Sequence, residues 1–304
     1  MKKIYFLFLV GLIPVLASAQ TTTDGLMMPK KNLCTGFMYT HDKWTNYWEG
    51  NLKRENGNIG SITTQSIMWF GNYGITDKLN VMAMVPYVMT KASQGTLHPM
   101  EGIQDLSLSV KYNFFKKDFG DNTFKTFVVG SFSTPLTDYT PDFLPLSIGL
   151  ASTTLSGRLT ANYRFLKRWF VNGSTGYTWR SNVTLDRPSY FTNDRLYLTD
   201  EVEMPNVFDY FISAGYLHDG LQVELNLMQQ NTLGGDDIRR QDMPFVSNKM
   251  NYVKAGVLAM YYLPKPKGFA VRGSVMTTLS GRNVGQSTSF LGGLLYTFKF
   301  IKNQ

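Results

Sequence analysis

The feature that most restricts what this chain can fold into is a period of two, sustained over segments of about ten residues and repeated along the sequence. In "QDLSLSVKYNFF", Leu106, Leu108, Val110, Tyr112 and Phe114 alternate with Asp105, Ser107, Ser109, Lys111 and Asn113. "LQVELNLMQQ" sets Leu221, Val223, Leu225 and Leu227 against Gln222, Glu224 and Asn226. "TLSGRLTANYRF" sets Leu155, Leu159, Ala161, Tyr163 and Phe165 against Ser156, Arg158, Thr160, Asn162 and Arg164. Successive side chains of a strand point to opposite faces, so each segment has one apolar and one polar face. Soluble sandwiches alternate too, but their strands usually end after five or six residues.

Segments of this kind fall at 33–41, 59–72, 79–90, 104–115, 123–134, 151–165, 169–180, 206–217, 221–231, 250–262, 269–279 and 288–300. Short links ("GITDK", "KKDFGDN", "LKR", "HDG", "PKPKG") alternate with mostly longer ones, as in bacterial barrels with tight periplasmic turns and long outer loops. The expected fold is all-β: a transmembrane antiparallel up-and-down β-barrel of twelve strands over residues 33–300, with a tail at 301–304 and both ends in the periplasm. No stretch after residue 20 approaches 18 uninterrupted apolar residues, which excludes a helical membrane protein. Aromatics at 14% with 27 glycines and only 12 prolines suit many strands and turns. Aromatics beside the short links, among them Trp69, Phe70 and Tyr73, Phe165, Trp169 and Phe170, Tyr261 and Tyr262, Tyr296, Phe298 and Phe300, are candidates for the inner girdle.

Lys2 and Lys3, the apolar run "IYFLFLVGLIPVLA" and Ala17-Ser18-Ala19 have the parts of a secretory signal peptide over residues 1–19. Its removal takes two lysines and no acids from the formal +8, leaving +6. That charge is diffuse, so no nucleic-acid surface is expected. The expected location is the bacterial outer membrane. Residues 20–32 precede the first strand; they are expected to be a periplasmic N-terminal segment, with a small plug folded into the lumen through Met27 and Met28 as the alternative.

The stretch "YGITDKLNVMAMVPYV" followed by "GIQDLSLSVKYNF" resembles the outer-membrane family named for the MetA pathway of phenol degradation. The residues that carry the resemblance are Tyr73, Gly74, Ile75, Thr76, Asp77, Pro86 and Tyr87, then Gly102, Asp105, Leu106, Lys111 and Tyr112. It implies a barrel that passes small hydrophobic or aromatic compounds, loosely similar to fatty-acid and toluene channels. Ser109 departs from the pattern, which has a glycine-like position there. Phe300 stands where an aromatic insertion signal would, but four residues follow it.

On this register the lumen receives Lys111, Lys125, Arg158, Arg164, Lys254, Arg272 and Lys299 against Asp105, Asp209 and Glu224, because a lysine or arginine facing lipid at midplane costs about 2–4 kcal/mol. Met82, Met84, Met260 and Met276 also face inward, and polarizable thioethers suit a lipophilic or aromatic solute. Two readings stand: a braced and packed interior, or a passage for an apolar body with an acidic or phenolic head. Pro86 lacks a ladder N–H, which makes it either a rim bulge or a wall kink that opens the barrel sideways.

An outer-membrane lipid hydrolase is a further alternative, but the residues two beyond His41, His98 and His218 are Lys43, Met100 and Gly220, which fails its His-x-Ser arrangement. A structural or surface-binding barrel is another. Three separated histidines and the lone Cys34 offer no ligand spacing, so no metal or cofactor is expected. Asp236 and Asp237 are weak Ca²⁺ candidates beside Arg239 and Arg240. The expected partners are outer-membrane lipids, the barrel-insertion machinery and a small hydrophobic or aromatic solute.

Overall fold

The computed structural model describes residues 21–239 and 242–300; the expected leader, 1–19, and tail, 301–304, lie outside the described residues. Twelve long strands form the wall: β1 Asn32–Trp44, β2 Ile62–Thr76, β3 Leu79–Ala92, β4 Asp105–Phe119, β5 Asn122–Pro135 and β6 Thr154–Phe165. The second half is β7 Trp169–Arg180, β8 Val207–His218, β9 Leu221–Thr232, β10 Asn251–Tyr262, β11 Phe269–Arg282 and β12 Thr288–Lys299. Each pairs antiparallel with its sequence neighbours, and β12 returns to β1 from Asn32↔Lys299 to Lys43↔Thr288, which closes the barrel. All twelve coincide with the alternating segments. Their ends differ by at most four residues, because ladder pairing runs past the hydrophobic band into the rims.

Alternation decides which side chain meets lipid. Phe37, Leu225 and Leu294 are 61%, 64% and 63% exposed, values that only a hydrocarbon environment makes favourable for so many neighbouring apolar groups. Near the short-turn rim Trp169 meets Tyr216 at 5.1 Å, and Tyr296 packs between Phe269 at 4.7 Å and Phe298 at 4.5 Å. Three expected girdle residues belong elsewhere: Phe70, Phe170 and Tyr262 are buried. Each is the chain neighbour of an exposed aromatic, Trp69, Trp169 or Tyr261, so the pleat turns it to the lumen.

The short links are tight turns. Asp219 and Gly220 both take positive φ, the geometry of a two-residue hairpin whose twist matches its strands. At the other rim the links 136–153, 181–206 and 233–250 fold together over a small core of Val183, Leu185, Tyr190, Val202, Met204 and Val246. Ion pairs tie them: Arg187 to Asp142, Arg239 to Asp194, and Arg282 to Asp237.

Pro86 lies opposite Met68 in a β2–β3 ladder that runs without a shift from Ile62↔Ala92 to Gly74↔Asn80. On its other side β3 pairs with β4 up to Met84↔Ser107, then resumes at Tyr87↔Ile103 on the extension Met100–Ile103. Three residues, Gln104 to Leu106, thus oppose two, Val85 and Pro86. This is a bulge, and the Pro86 carbonyl accepts the Gln104 N–H at 3.0 Å. The wall continues above it, and Pro86 marks the interruption between the two stretches of pairing.

Asp237 accepts two bonds from Arg282, each 2.7 Å, and one from Asn283 Nδ2 at 2.7 Å. The Arg282 bonds hold its carboxyl at about 2. A depressed carboxyl stabilises above its unfolded value, near 3.9, and that contribution is lost as pH falls through the folded value. Asp237→Asn is expected to speed amide exchange across 233–250 at neutral pH, while the unaltered protein keeps its protection to about pH 4 and loses it toward pH 2.

Candidate functional site

Residues 21–31 run inside the short-turn half of the barrel. Lys111, on the inner face of β4, is fully buried and donates from Nζ to the Thr21 carbonyl at 2.9 Å, the Asp24 carbonyl at 2.7 Å and Asp24 Oδ1 at 2.8 Å. A buried ammonium is tolerable only with its donors filled and its charge met, and Asp24 does both. The Asp24 carboxylate also accepts the Thr21 N–H and the Leu26 N–H, the latter at 2.9 Å, so it shapes the turn that carries it. Gly25 packs so closely on Asn162 that a Cβ there would come within 2.3 Å of it.

Four residues on, Met28 is fully buried among Cys34, Met38, Phe70, Leu258, Met260, Tyr262, Ala270 and Leu295, with Met68, Met84 and Leu291 packed around them. The segment then leaves through the turn after β2. Lys31 N–H donates to the Gly74 carbonyl at 2.7 Å and Lys30 N–H to Asp77 Oδ1 at 2.9 Å. A Cβ on Gly74 would stand 2.2 Å from the Pro29 carbonyl oxygen. Gly74, Asp77 and Lys111 were singled out above as family-like positions; each one holds the N-terminal segment.

The lumen has two unlike walls. Along β4 to β9 it is mostly polar, with Phe127, Val129 and Phe170 also buried there: Ser107 with Ser133 at 3.0 Å, Ser109 with Ser131 at 2.8 Å, Thr160 with Ser174 at 2.9 Å, and Asn172 between Asn162 at 2.6 Å and Ser213 at 3.0 Å. The bond to Ser131 gives Ser109 a place where the family pattern has a glycine-like residue. Arg158 reaches across to Asp209 at 2.6 Å and to Ser174 at 3.1 Å. Along β10 to β12 and β1 to β3 methionines gather, Met38, Met84 and Met260 with Phe70 and Leu295, and buried Asn72, Asn80 and Thr297 stand among them.

The expected inner residues occupy this frame as follows. Met84 and Met260 meet around Met28, and buried Met82 and half-buried Met276 stand on the same methionine-rich side. Lys254 sits 4.9 Å over the Tyr252 ring, and Arg272 interacts with Asp24 and Glu224. Arg164 donates to the Leu217 carbonyl at 3.0 Å. Asp105 accepts from Tyr139 at 2.6 Å, while Lys299 ends exposed at the rim. Alternation missed Asp24 and Met28, which lie on no strand. Met38 and Met68 were legible by parity, since Met38 stands between outward Phe37 and Tyr39.

Among the outer links a cavity of about 670 Å³ is lined by Asp142, Phe143, Arg187, Phe191, Arg239 and Phe245 with their neighbours. Asp237 is spent on Arg282 and Asn283, and no group of three metal-ligating side chains occurs among the described residues.

Removing the Lys111 ammonium leaves Asp24 buried and uncompensated, a change that costs about 3–5 kcal/mol in comparable pairs. In a Thr23→Cys background the thiol is expected to react slowly with a polar maleimide, and at least tenfold faster once Lys111→Met is added. Equal rates would show that the ion pair does not hold the segment; Cys34, fully buried, contributes little background.

No curated protein matches the chain. Among solved structures, an outer membrane channel from Pseudomonas putida F1 superposes with a TM-score of 0.71 at 13% identity, covering 92% of this chain and 100% of that one. A Pseudomonas aeruginosa FadL homologue (TM-score 0.41, 10% identity, 89% and 91% covered) and the monoaromatic hydrocarbon channel CymD (0.41, 10%, 91% and 90%) are more distant. A family model matches residues 58–291, most of the barrel, and by that match the chain belongs to the family described as "Putative MetA-pathway of phenol degradation".

Proposed function

We propose that this chain is a passive outer-membrane channel for small hydrophobic or aromatic compounds, with residues 21–31 as a plug that must shift for a solute to pass. The observation that carries the reading is the two-sided lumen. A methionine and aromatic wall faces a wall of serine, threonine and asparagine, so a ring with a hydroxyl or carboxyl head can bury its body on one side and bond its head on the other. A sugar gains little on the apolar side, and a pure hydrocarbon leaves the polar side hydrated. Met82, Met84, Met260 and Met276 form the apolar contact surface in this reading. Lys111, Arg158, Arg164, Glu224, Lys254 and Arg272 set the charge along the path.

The plug is held by one buried ion pair and by methionine packing, contacts that a solute occupying the Met28 pocket would replace in part. No covalent step is needed, and the channel acts as a conduit rather than a hydrolase. The family match and the fold shared with a Pseudomonas putida outer membrane channel support this reading. Expected partners remain the lipids around the barrel and the machinery that inserts it.

The test is uptake into proteoliposomes of labelled 4-hydroxybenzoate and arabinose, which are similar in size and cross bare bilayers slowly at neutral pH. The aromatic acid is expected to enter faster than the sugar, and deletion of residues 21–31 to accelerate both. Met84→Asn with Met260→Asn is expected to lower the aromatic rate about fivefold, the loss of roughly 1 kcal/mol of sulfur–aromatic contact, and to leave arabinose unchanged. No uptake by a folded, plug-deleted barrel would move the assignment to a structural or surface-binding role.

A further inference from the structure

The outer surface of β1 to β3 carries a polar patch that the channel reading does not use. Its residues have the outward register of Phe37, Ile67 and Trp69, all exposed. Ascending toward the long-loop rim, Tyr39 pairs through Ile67 to Tyr87, then His41 through Gln65 to Met89, then Lys43 through Thr63 to Lys91. Gln65 Nε2 donates to the Tyr39 hydroxyl at 2.5 Å. Lys43 and Lys91 are exposed, and neither is ion-paired with a described residue. Arg282, opposite Asn251 at the end of β11, shares this outward register in the outer half of the wall, but its charge is met by Asp237. Elsewhere that level presents groups such as Phe132, Leu155, Tyr177 and Trp179.

Height gives the patch its meaning. Amphipathic tyrosines settle where acyl chains meet headgroups. The lysines lie four residues beyond Tyr39 and Tyr87, about 13 Å along the strand and, at the usual strand tilt, roughly 10 Å along the membrane normal. That is headgroup height. Two strand spacings separate the two lysine backbones, about 10 Å, a span that flexible ammonium arms can close around one anionic headgroup. One carboxylate shares this face: Glu101 pairs opposite Met89, beside Tyr87.

We propose that this face binds a phosphorylated outer-leaflet glycolipid, with Lys43 and Lys91 on its phosphates and Tyr39 and Tyr87 at the boundary of its acyl chains. Charge complementarity selects the occupant. An uncharged lipid would leave both ammonium groups unmatched, and a second copy of this face would set lysine against lysine.

The test uses the full barrel in uncharged detergent and compares three probes: diphosphorylated lipid A, the same lipid with its phosphates removed, and inorganic pyrophosphate. Native mass spectrometry and a titration should find the phosphorylated lipid held at least tenfold more tightly than the other two. Lys43→Gln with Lys91→Gln is expected to weaken it roughly 30-fold, as two headgroup-level lysines would. Lys167→Gln, at the opposite rim, should change nothing. Heat-dependent gel mobility confirms that each variant is folded. Equal retention by the double variant, or equal binding of the dephosphorylated lipid, overturns the proposal. Comparable binding of pyrophosphate would make this a free-anion site and overturn the lipid assignment.

Discussion

Everything in this barrel depends on closing its hydrogen-bond ladder. In hydrocarbon an unpaired backbone N–H or carbonyl costs several kcal/mol, so a sheet with free edges cannot cross. The β12-to-β1 pairing from Lys299↔Asn32 to Thr288↔Lys43 removes the last edge. Closure forces period-two alternation on all twelve strands at once, because each strand then has lipid on one face and lumen on the other. It also confines irregularity. The departures at Gly74, Asn113, Val253 and beside Pro86 are local bulges, after which pairing resumes.

The same closure creates the problem that the N-terminal segment answers. A narrow lumen must hold inward-facing charges that cannot face lipid, and Lys111 is among the most deeply placed of them. Asp24 neutralises it, while Met28 fills the space between the methionine-bearing strands. The turn after β2 serves the plug as well as the strand reversal, since Gly74 leaves room for the Pro29 carbonyl and Asp77 caps Lys30. A motif that reads in the chain as a turn is in the fold a bracket for a segment some 45 residues earlier.

Legibility followed the range of the interaction. Strand positions were readable because alternation is local and repeats in every strand. The inward directions of Lys111, Arg158, Glu224 and Met260 were readable for the same reason. At the girdle, Phe70, Phe170 and Tyr262 turn to the lumen while Trp69, Trp169 and Tyr261 face lipid, since adjacent residues of a strand cannot share a face. The docking of residues 21–31 is one of two readings the sequence allows. No periodicity marks an irregular segment, and most of its partners lie more than 40 residues away.

By itself the sequence determined the architecture: an all-β barrel, its strand count, the alternation of short and long links, and the sidedness of most strand residues. Those properties come from neighbours along the chain and from the contrast between lipid and water. Only the tertiary structure decided which inward residues meet: that Asp24 finds Lys111, that Arg158 finds Asp209, and that methionines from four strands gather around Met28 opposite a wall of hydroxyls and amides. Such meetings depend on the register and curvature of strands far apart in sequence. A period of two gives each side chain its direction but carries no information about what stands across the lumen.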